Sequence, residues 1–200
     1  MKEIDLKGGN ALIIVAHPDD ETIWAGGTIL KFPEIKWTIF SLCRSDDKDR
    51  APKFRRVTES YGARGVISDL EDEGAMTIRE SLPEIEKRIL SKFKARHFTY
   101  LFTHDYSGEY GHPRHTGVYR ALQKLVSRKK LTVDNIFYFA YELADNKNFC
   151  VSKRNADYTL RLPEKTFKAK RSIIENLYGF KKSSFEYKSC SATETFNKRN

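Results

Sequence analysis

The sequence predicts an α/β fold, a Rossmann-like three-layer sandwich around a mostly parallel sheet. Three observations carry that expectation. Short apolar runs alternate with segments of helical periodicity along the whole chain. The first run, 11–16, is apolar throughout instead of alternating, as a parallel strand buried on both faces would be. Parallel strands also need crossover connections, and the helical segments between the runs supply them.

Taken in order, 11–16 is a strand, and 21–31 is a helix with Ile23, Trp24 and Ile29 on its inner side; Trp24 and Phe32 are assigned to the core. Residues 37–43 form a second strand, 53–61 a helix and 65–69 a short strand. The helix expected at 82–93 gathers Leu82, Ile85, Ile89, Leu90 and Phe93 on one side, and 97–103 returns as a strand. After a polar loop at 105–111, the segment 113–128 is helical through Val118, Leu122 and Leu125, and 133–141 is a further strand. A strand at 158–162 and an amphipathic helix at 164–178 follow, and the polar tail from 181 is expected to be partly disordered. No repeat or linker divides the chain, so residues 1–200 are expected to form one domain.

Composition narrows the function classes. With 200 residues and 40% apolar content, the chain is long enough for one domain with a substantial core and too short to expect two independent domains. No stretch approaches the ~20 apolar residues of a membrane span, and the N-terminus lacks the apolar segment of a signal peptide. Cys43, Cys150 and Cys190 are odd in number, far apart and without CxxC spacing, which argues against a disulfide framework and a thiolate metal site. A soluble protein of the reducing cytoplasm is expected, and a homo-oligomer is compatible with this composition. The net charge of +9 is spread over the chain, with short clusters at 128–130, 168–171 and 181–182 and no nucleic-acid-binding signature. An anionic small substrate fits that charge better than a nucleic acid. Gly26 and Gly27 do not make a GxGxxG fingerprint after the first strand, so a nicotinamide cofactor is not expected.

The chemistry gathers in two segments, HPDDE (17–21) and THDYSGEYGHPRH (103–115), which hold four of the five histidines. Each follows a predicted parallel strand, so both belong at the same edge of the sheet, where such folds bind ligands. Two imidazoles and a carboxylate with an open fourth position make a catalytic zinc site, although the same donors also suit Fe²⁺. His17 and Asp20 lie three apart across a strand-to-helix turn, and His115 on the first turn of the next helix is the natural third ligand. Asp19, between the first two, is placed to take a proton from a water at the open position and is the expected general base. His112, one helical turn before His115, is expected to stabilise an oxyanion or protonate a leaving amine. The competing reading for Asp19 and Glu21, favourable charge at a helix N-terminus, is worth about 0.3–1 kcal/mol each and leaves His17 and Asp20 unexplained. His104, Asp105 and Glu109 are either partners that orient a ligand or loop caps. Tyr106 and Tyr110 either stack on a sugar or pack their loop.

The pair AHPDDE (16–21) and GEYGHPRH (108–115), in this order on an α/β chain, resembles the LmbE-like or PIG-L family of zinc-dependent N-acetylglucosamine deacetylases. The resemblance implies a metal at His17, Asp20 and His115, Asp19 as base and His112 as electrostatic or acid partner. It further implies hydrolysis of an acetamide on an amino-sugar conjugate. Arg56-x-x-Glu59 resembles the family's Arg-x-x-Glu helix, which makes Arg56 a substrate or oxyanion contact; Tyr110, from its loop, is the other candidate substrate contact. Two departures stand out. Arg114 occupies the place of an aspartate in the family's His-Pro-Asp-His motif, and 43–50 reads CRSDDKDR instead of an Arg-Gly-Glu loop. Arg114 either lies near His112 and disfavours a protonated imidazole there or, the preferred reading, points out of the pocket toward an anionic group of the conjugate. A metal-binding protein of this family without turnover, acting in ligand binding or regulation, is the alternative.

Overall fold

The computed structural model describes residues 1–198. The chain runs β1 (Lys2–Glu3), β2 (Asn10–Val15), α1 (Asp20–Lys31), β3 (Lys36–Cys43), α2 (Arg50–Ser60), β4 (Arg64–Leu70), α3 (Ile78–Phe93) and β5 (His97–Thr103). It continues with a short turn α4 (Gly108–Gly111), α5 (Pro113–Ser127), β6 (Thr132–Phe139), β7 (Tyr141–Leu143), β8 (Cys150–Ser152), β9 (Tyr158–Arg161) and α6 (Glu164–Ser172). A π turn, Ile173–Leu177, prolongs α6, and α7 (Phe185–Ser189) and β10 (Thr193–Lys198) close the chain.

Eight strands form one sheet in the order β1-β9-β10-β6-β5-β2-β3-β4. The five from β6 to β4 are mutually parallel, whereas β10 runs antiparallel to both its neighbours. The two-residue period of β2 explains the layers. Ala11, Ile13 and Val15 join Trp24, Phe54 and Ile174 in a core under α1, α2 and α6. Leu12, Ile14 and Ala16 join Ile85, Ile89, Val118 and Leu122 in a second core under α3 and α5. The expected α/β sandwich is therefore present, with helices on both faces of a mostly parallel sheet.

Three differences from the sequence reading matter for the site. The tail expected to be partly disordered is instead folded through Lys198, because β10 fills a slot between β6 and β9 and hydrogen-bonds to both. Its polar side chains concealed a strand, since Glu194 is buried against Lys170 at 2.7 Å. Residues 199 and 200 of that expectation lie outside the described residues. Helix α2 begins at Arg50, three residues before the expected start, which brings a guanidinium to the carboxyl edge of the sheet. The expected strand 133–141 ends at Phe139, and Tyr141–Leu143 pairs with Cys150–Ser152 in a separate hairpin. All three cysteines are buried and free, and among the described residues no helix is long and apolar enough to cross a membrane.

Candidate metal centre and active site

Strand β2 ends at Val15 and β5 at Thr103, adjacent and parallel, so the two polar segments emerge side by side. His17 Nδ1, Asp20 Oδ2 and His115 Nε2 then form a triangle with edges of 3.2, 3.3 and 3.4 Å. A tetrahedral ion with metal–ligand bonds of about 2.0–2.1 Å requires donor–donor edges of about 3.3–3.4 Å. The donor set therefore fits a divalent cation in number, type and spacing. Electrostatics agree. Burial opposes a charge on either imidazole, yet Asp20 and Asp72 lift His17 to about 9. Asp20 and Glu109 likewise outweigh burial at His115 and lift it to about 10. Two protonated nitrogens 3.3 Å apart cannot both point inward, so a cation suits this negative field better than protons do.

Each donor is aimed by a partner. Asp20 accepts the indole N–H of Trp24 on Oδ1 at 2.9 Å and the backbone N–H of His17 on Oδ2. His115 donates from Nδ1 to Glu109 Oε2 at 2.6 Å, which leaves the Nε2 lone pair for the triangle. The same Glu109 oxygen accepts Nδ1–H of His104, whose Nε2 accepts the Ala16 amide, so this imidazole is a neutral tie between β2 and β5. His104 stacks on His115 with ring centres 3.8 Å apart. Burial would raise the Glu109 carboxyl, but its two imidazole partners hold it down at about 2. On the far side, His17 Nε2 lies 2.9 Å from Asp72 Oδ2. Trp24 is thus core, as expected, and also a ligand partner.

Asp19 stands next to the triangle at the N-cap of α1 in a backbone conformation that favours glycine, φ 114°. Its amide donates to Glu21 Oε2, and Glu21 in turn accepts the hydroxyls of Thr22 and Tyr178. Glu21 is fully buried, so it is a brace for the strained turn and not a solvated helix-end charge. Asp19 Oδ2 accepts Arg50 Nη1 at 2.6 Å, and that guanidinium lies over the Phe180 ring. Burial pushes the Asp19 carboxyl well up, Asp20 adds to the rise, and Arg50 opposes it. His112 Nδ1 accepts the Arg114 amide as the N-cap of α5, so the ring's proton sits on Nε2. Burial, His115 and His17 pull His112 down to about 4, and the imidazole is a neutral donor at pH 7.

A cavity of about 350 Å³ opens over His17, Asp19 and Asp20, walled by Trp24, Arg44, Asp47, Arg50, Tyr110, Phe185 and Glu186. Tyr110 lines this cavity, packed edge-on against His112, His115 and Phe185. Tyr106 is exposed and lines a different depression with Lys153. Arg56 is exposed on α2 and does not line the cavity; Arg50, nearly two turns earlier, takes that place. Arg114 does not point outward. It is 2% exposed and turned into the 71–76 loop, donating to Glu71 Oε2 and O at 2.6 Å and to Met76 O at 3.0 Å. A guanidinium facing the ligand triangle would oppose a cation there, and Glu71 gives it a counter-charge on the other side.

Sequence reasoning missed Arg50, Asp72, Glu71, Phe185 and Glu186. Arg50 sits within the segment that departs from the expected loop, so a basic residue there was a visible signal. Asp72 and Phe185 have none, because their neighbours come from distant parts of the chain.

Residues 12–126 match the family model described as PIG-L: GlcNAc-PI de-N-acetylase. Among solved structures, the conserved protein TT1542 of Thermus thermophilus aligns with TM-score 0.67 and 16% identity, covering 95% of this chain and 94% of that one. A deacetylase–teicoplanin complex from the teicoplanin biosynthesis pathway aligns with TM-score 0.65 and 12% identity over 96% and 99%. GalB, the 4-carboxy-2-hydroxymuconate hydratase of Pseudomonas putida, aligns with TM-score 0.59 and 16% identity over 89% and 82%. At these identities the likeness is one of fold, and that fold serves more than one reaction.

Proposed function

Given that the chain belongs to the PIG-L family, whose model it matches over more than half its length, we propose that it is a zinc-dependent N-deacetylase acting on an N-acetylated amino-sugar conjugate. The observation that carries the proposal is the triangle of His17 Nδ1, Asp20 Oδ2 and His115 Nε2 with a buried carboxylate, Asp19, beside it. A divalent cation held there supplies Lewis-acid polarisation of the amide carbonyl and makes a water more acidic.

This chain's residues do the rest. Asp19, buried and fixed by Arg50, takes a proton from the attacking water. As the water oxygen bonds to the carbonyl carbon, the Nε2–H of His112 donates to the developing oxyanion. A neutral imidazole suits that task, because its Nδ1 is already committed to the Arg114 amide. Asp19 then returns the proton to the nitrogen as the carbon–nitrogen bond breaks, giving acetate and a free amine. The polar walls from Asp47, Arg44 and Glu186, with the Tyr110 and Phe185 rings, suit a hydroxyl-rich ring. Arg44 and Arg50, in place of Arg114, are the cations on the cavity wall toward an anionic conjugate, each also paired with a carboxylate, Asp72 and Asp19.

The test is acetate release from a panel of N-acetylglucosamine conjugates by the zinc-loaded protein, with bound metal measured alongside. Turnover of at least one conjugate, with metal lost in Asp20→Ala and His115→Ala, is expected. Stoichiometric metal with no acetate from any conjugate would leave a binding protein in its place, and metal persisting in both variants would refute the ligand set.

A further inference from the structure

The basic cluster at 168–171 is divided by the helix that carries it. On α6, Lys170 turns inward to Glu194, whereas Lys168 and Arg171 line a hollow on the outside of the molecule. That hollow, of about 560 Å³, is walled by Phe167, Lys168, Arg171, Ser172, Asn176 and Tyr187. It shares no residue with the cavity over the ligand triangle. Helix α7 is the partition between them, since Phe185 and Glu186 line the cavity and Tyr187 lines the hollow.

Arg171 is a cation held in place without a counter-ion. Its guanidinium carbon lies 4.5 Å from the Phe167 ring centre and 4.8 Å from that of Tyr187, contacts that use the charge and leave the N–H donors unspent. Its Nε is enclosed and meets no acceptor. Among the described residues no carboxylate pairs with it, because Glu164 on the rim belongs to Lys168 at 2.6 Å and Glu175 to Lys182 at 3.5 Å. A guanidinium fork fixed by two rings is a receptor for an oxyanion. Two further donors stand beside it. Ser172 Oγ accepts the Asn176 amide at 2.9 Å, at the start of the π turn, and its own O–H remains as a donor. The Lys168–Glu164 pair is 75% and 78% exposed, so little holds the ammonium there and it can turn to a stronger acceptor.

Residues 168, 171 and 172 fall at i, i+3 and i+4 on α6, and so on one face of it. Three donor groups on one face match the three terminal oxygens of a phosphate better than the two of a carboxylate. The half-buried rings of Phe167 and Tyr187 offer apolar surface to the body that bears it. We infer that the hollow binds a phosphate monoester carried on an aromatic body, at a site separate from the metal centre. The ligand is an effector there and not a substrate, because neither the ligand triangle nor Asp19 lines the hollow. It meets Tyr187 on α7, and the two residues before Tyr187 wall the reaction cavity.

The experiment titrates the zinc-loaded full chain with phenyl phosphate, inorganic phosphate, benzoate and phenol by calorimetry, and repeats the first titration after chelation of the metal. Phenyl phosphate should bind saturably, about fivefold or more tighter than inorganic phosphate or benzoate, and with the same affinity in the metal-free chain. Phenol should not bind. Arg171→Met keeps an apolar stem against the rings and should weaken phenyl phosphate by about tenfold or more. Arg171→Lys keeps the charge and the packing but loses the fork, and should still cost about threefold. Arg44→Met, on the wall of the reaction cavity, should leave the affinity unchanged. No saturable binding, or wild-type affinity in both Arg171 variants, overturns the inference and leaves Arg171 a strut for α7. Loss of binding on chelation or in Arg44→Met places the phosphate in the reaction cavity and overturns it too. Benzoate bound as tightly as phenyl phosphate overturns the phosphate assignment. The titration involves no turnover, so its failure and that of the deacetylase reading are separate results.

Discussion

Asp19 combines three features that single residues seldom share: a φ of 114°, near-complete burial and contact with Arg50. The strained turn sets its carboxylate against Arg50 on the cavity lining, while Asp20, the next residue, supplies a corner of the triangle. Asparagine tolerates positive φ better than most residues, so Asp19→Asn should preserve the turn and the metal. Turnover should fall by roughly 10²–10⁴, the range for removing a general base; an unchanged kcat would end that role for Asp19. Glu109 makes a different claim, because it touches the imidazoles and not the triangle. Glu109→Gln should weaken metal affinity by roughly 10–100-fold, the usual effect of losing a carboxylate behind a ligating histidine. Competition with a chromophoric chelator measures this, and wild-type affinity in the variant would reduce Glu109 to a loop cap.

At the level of elements, α5 organises the site from its first turn. Its N-cap is His112, its third residue is His115, and between them Arg114 reaches back to clamp the 71–76 loop that carries Asp72. The position filled by an aspartate in the family motif has thus become an anchor for a second loop. Arg114→Gln should loosen that loop, seen as faster proteolytic cleavage between 71 and 77 and a lower Tm, with the cavity side of the site less affected. The clamp should also weaken in acid. Amides of Ala75, Glu73 and Met76, together with Arg114, hold the Glu71 carboxyl below its ordinary value of 4.5. A depressed carboxyl contributes stability that is complete above the unfolded value and is lost as pH falls through the folded one. Protease sensitivity of the loop should therefore rise below about pH 4.5 in the wild type and change less in Arg114→Gln. Equal pH profiles for the two proteins would disconnect Glu71 from the clamp.

Over the whole molecule, the last strand closes what the first motif begins. Glu194 on β10 accepts the amides of Gly27 and Thr28 and the Thr28 hydroxyl from α1, and is paired with Lys170 of α6. Both members of the pair are fully buried. This places the middle of α1, and hence Asp20 at its start, under the control of residues more than 140 positions away. Lys170→Met should leave Glu194 buried without its counter-charge and cost about 3–5 kcal/mol in chemical denaturation. A cost below about 1 kcal/mol would show that the Gly27 and Thr28 donors alone satisfy the carboxylate.

The parallel layers and the meeting of His17, Asp20 and His115 were legible in the sequence because both depend on local rules. An unbroken apolar run marks a strand buried on two faces, and polar residues directly after such runs must meet at the carboxyl edge of the sheet. His17, Asp20 and His115 needed nothing beyond that. Arg56 and Arg114 could not be placed the same way, because a long cationic side chain follows whichever carboxylate the fold brings near. Arg114 found Glu71, and Arg50 found Asp19 across 31 positions of sequence. The tail misled for the reverse reason. Its strand is polar because Glu194 is matched by Lys170 and not by water, and pairing between distant charges leaves no periodic mark in the chain. The sequence by itself thus determined the fold class and the meeting of His17, Asp20 and His115, whose placement follows from strand ends. Tertiary structure alone decided which charges hold those donors in place and which walls meet the substrate, since both depend on contacts between residues far apart.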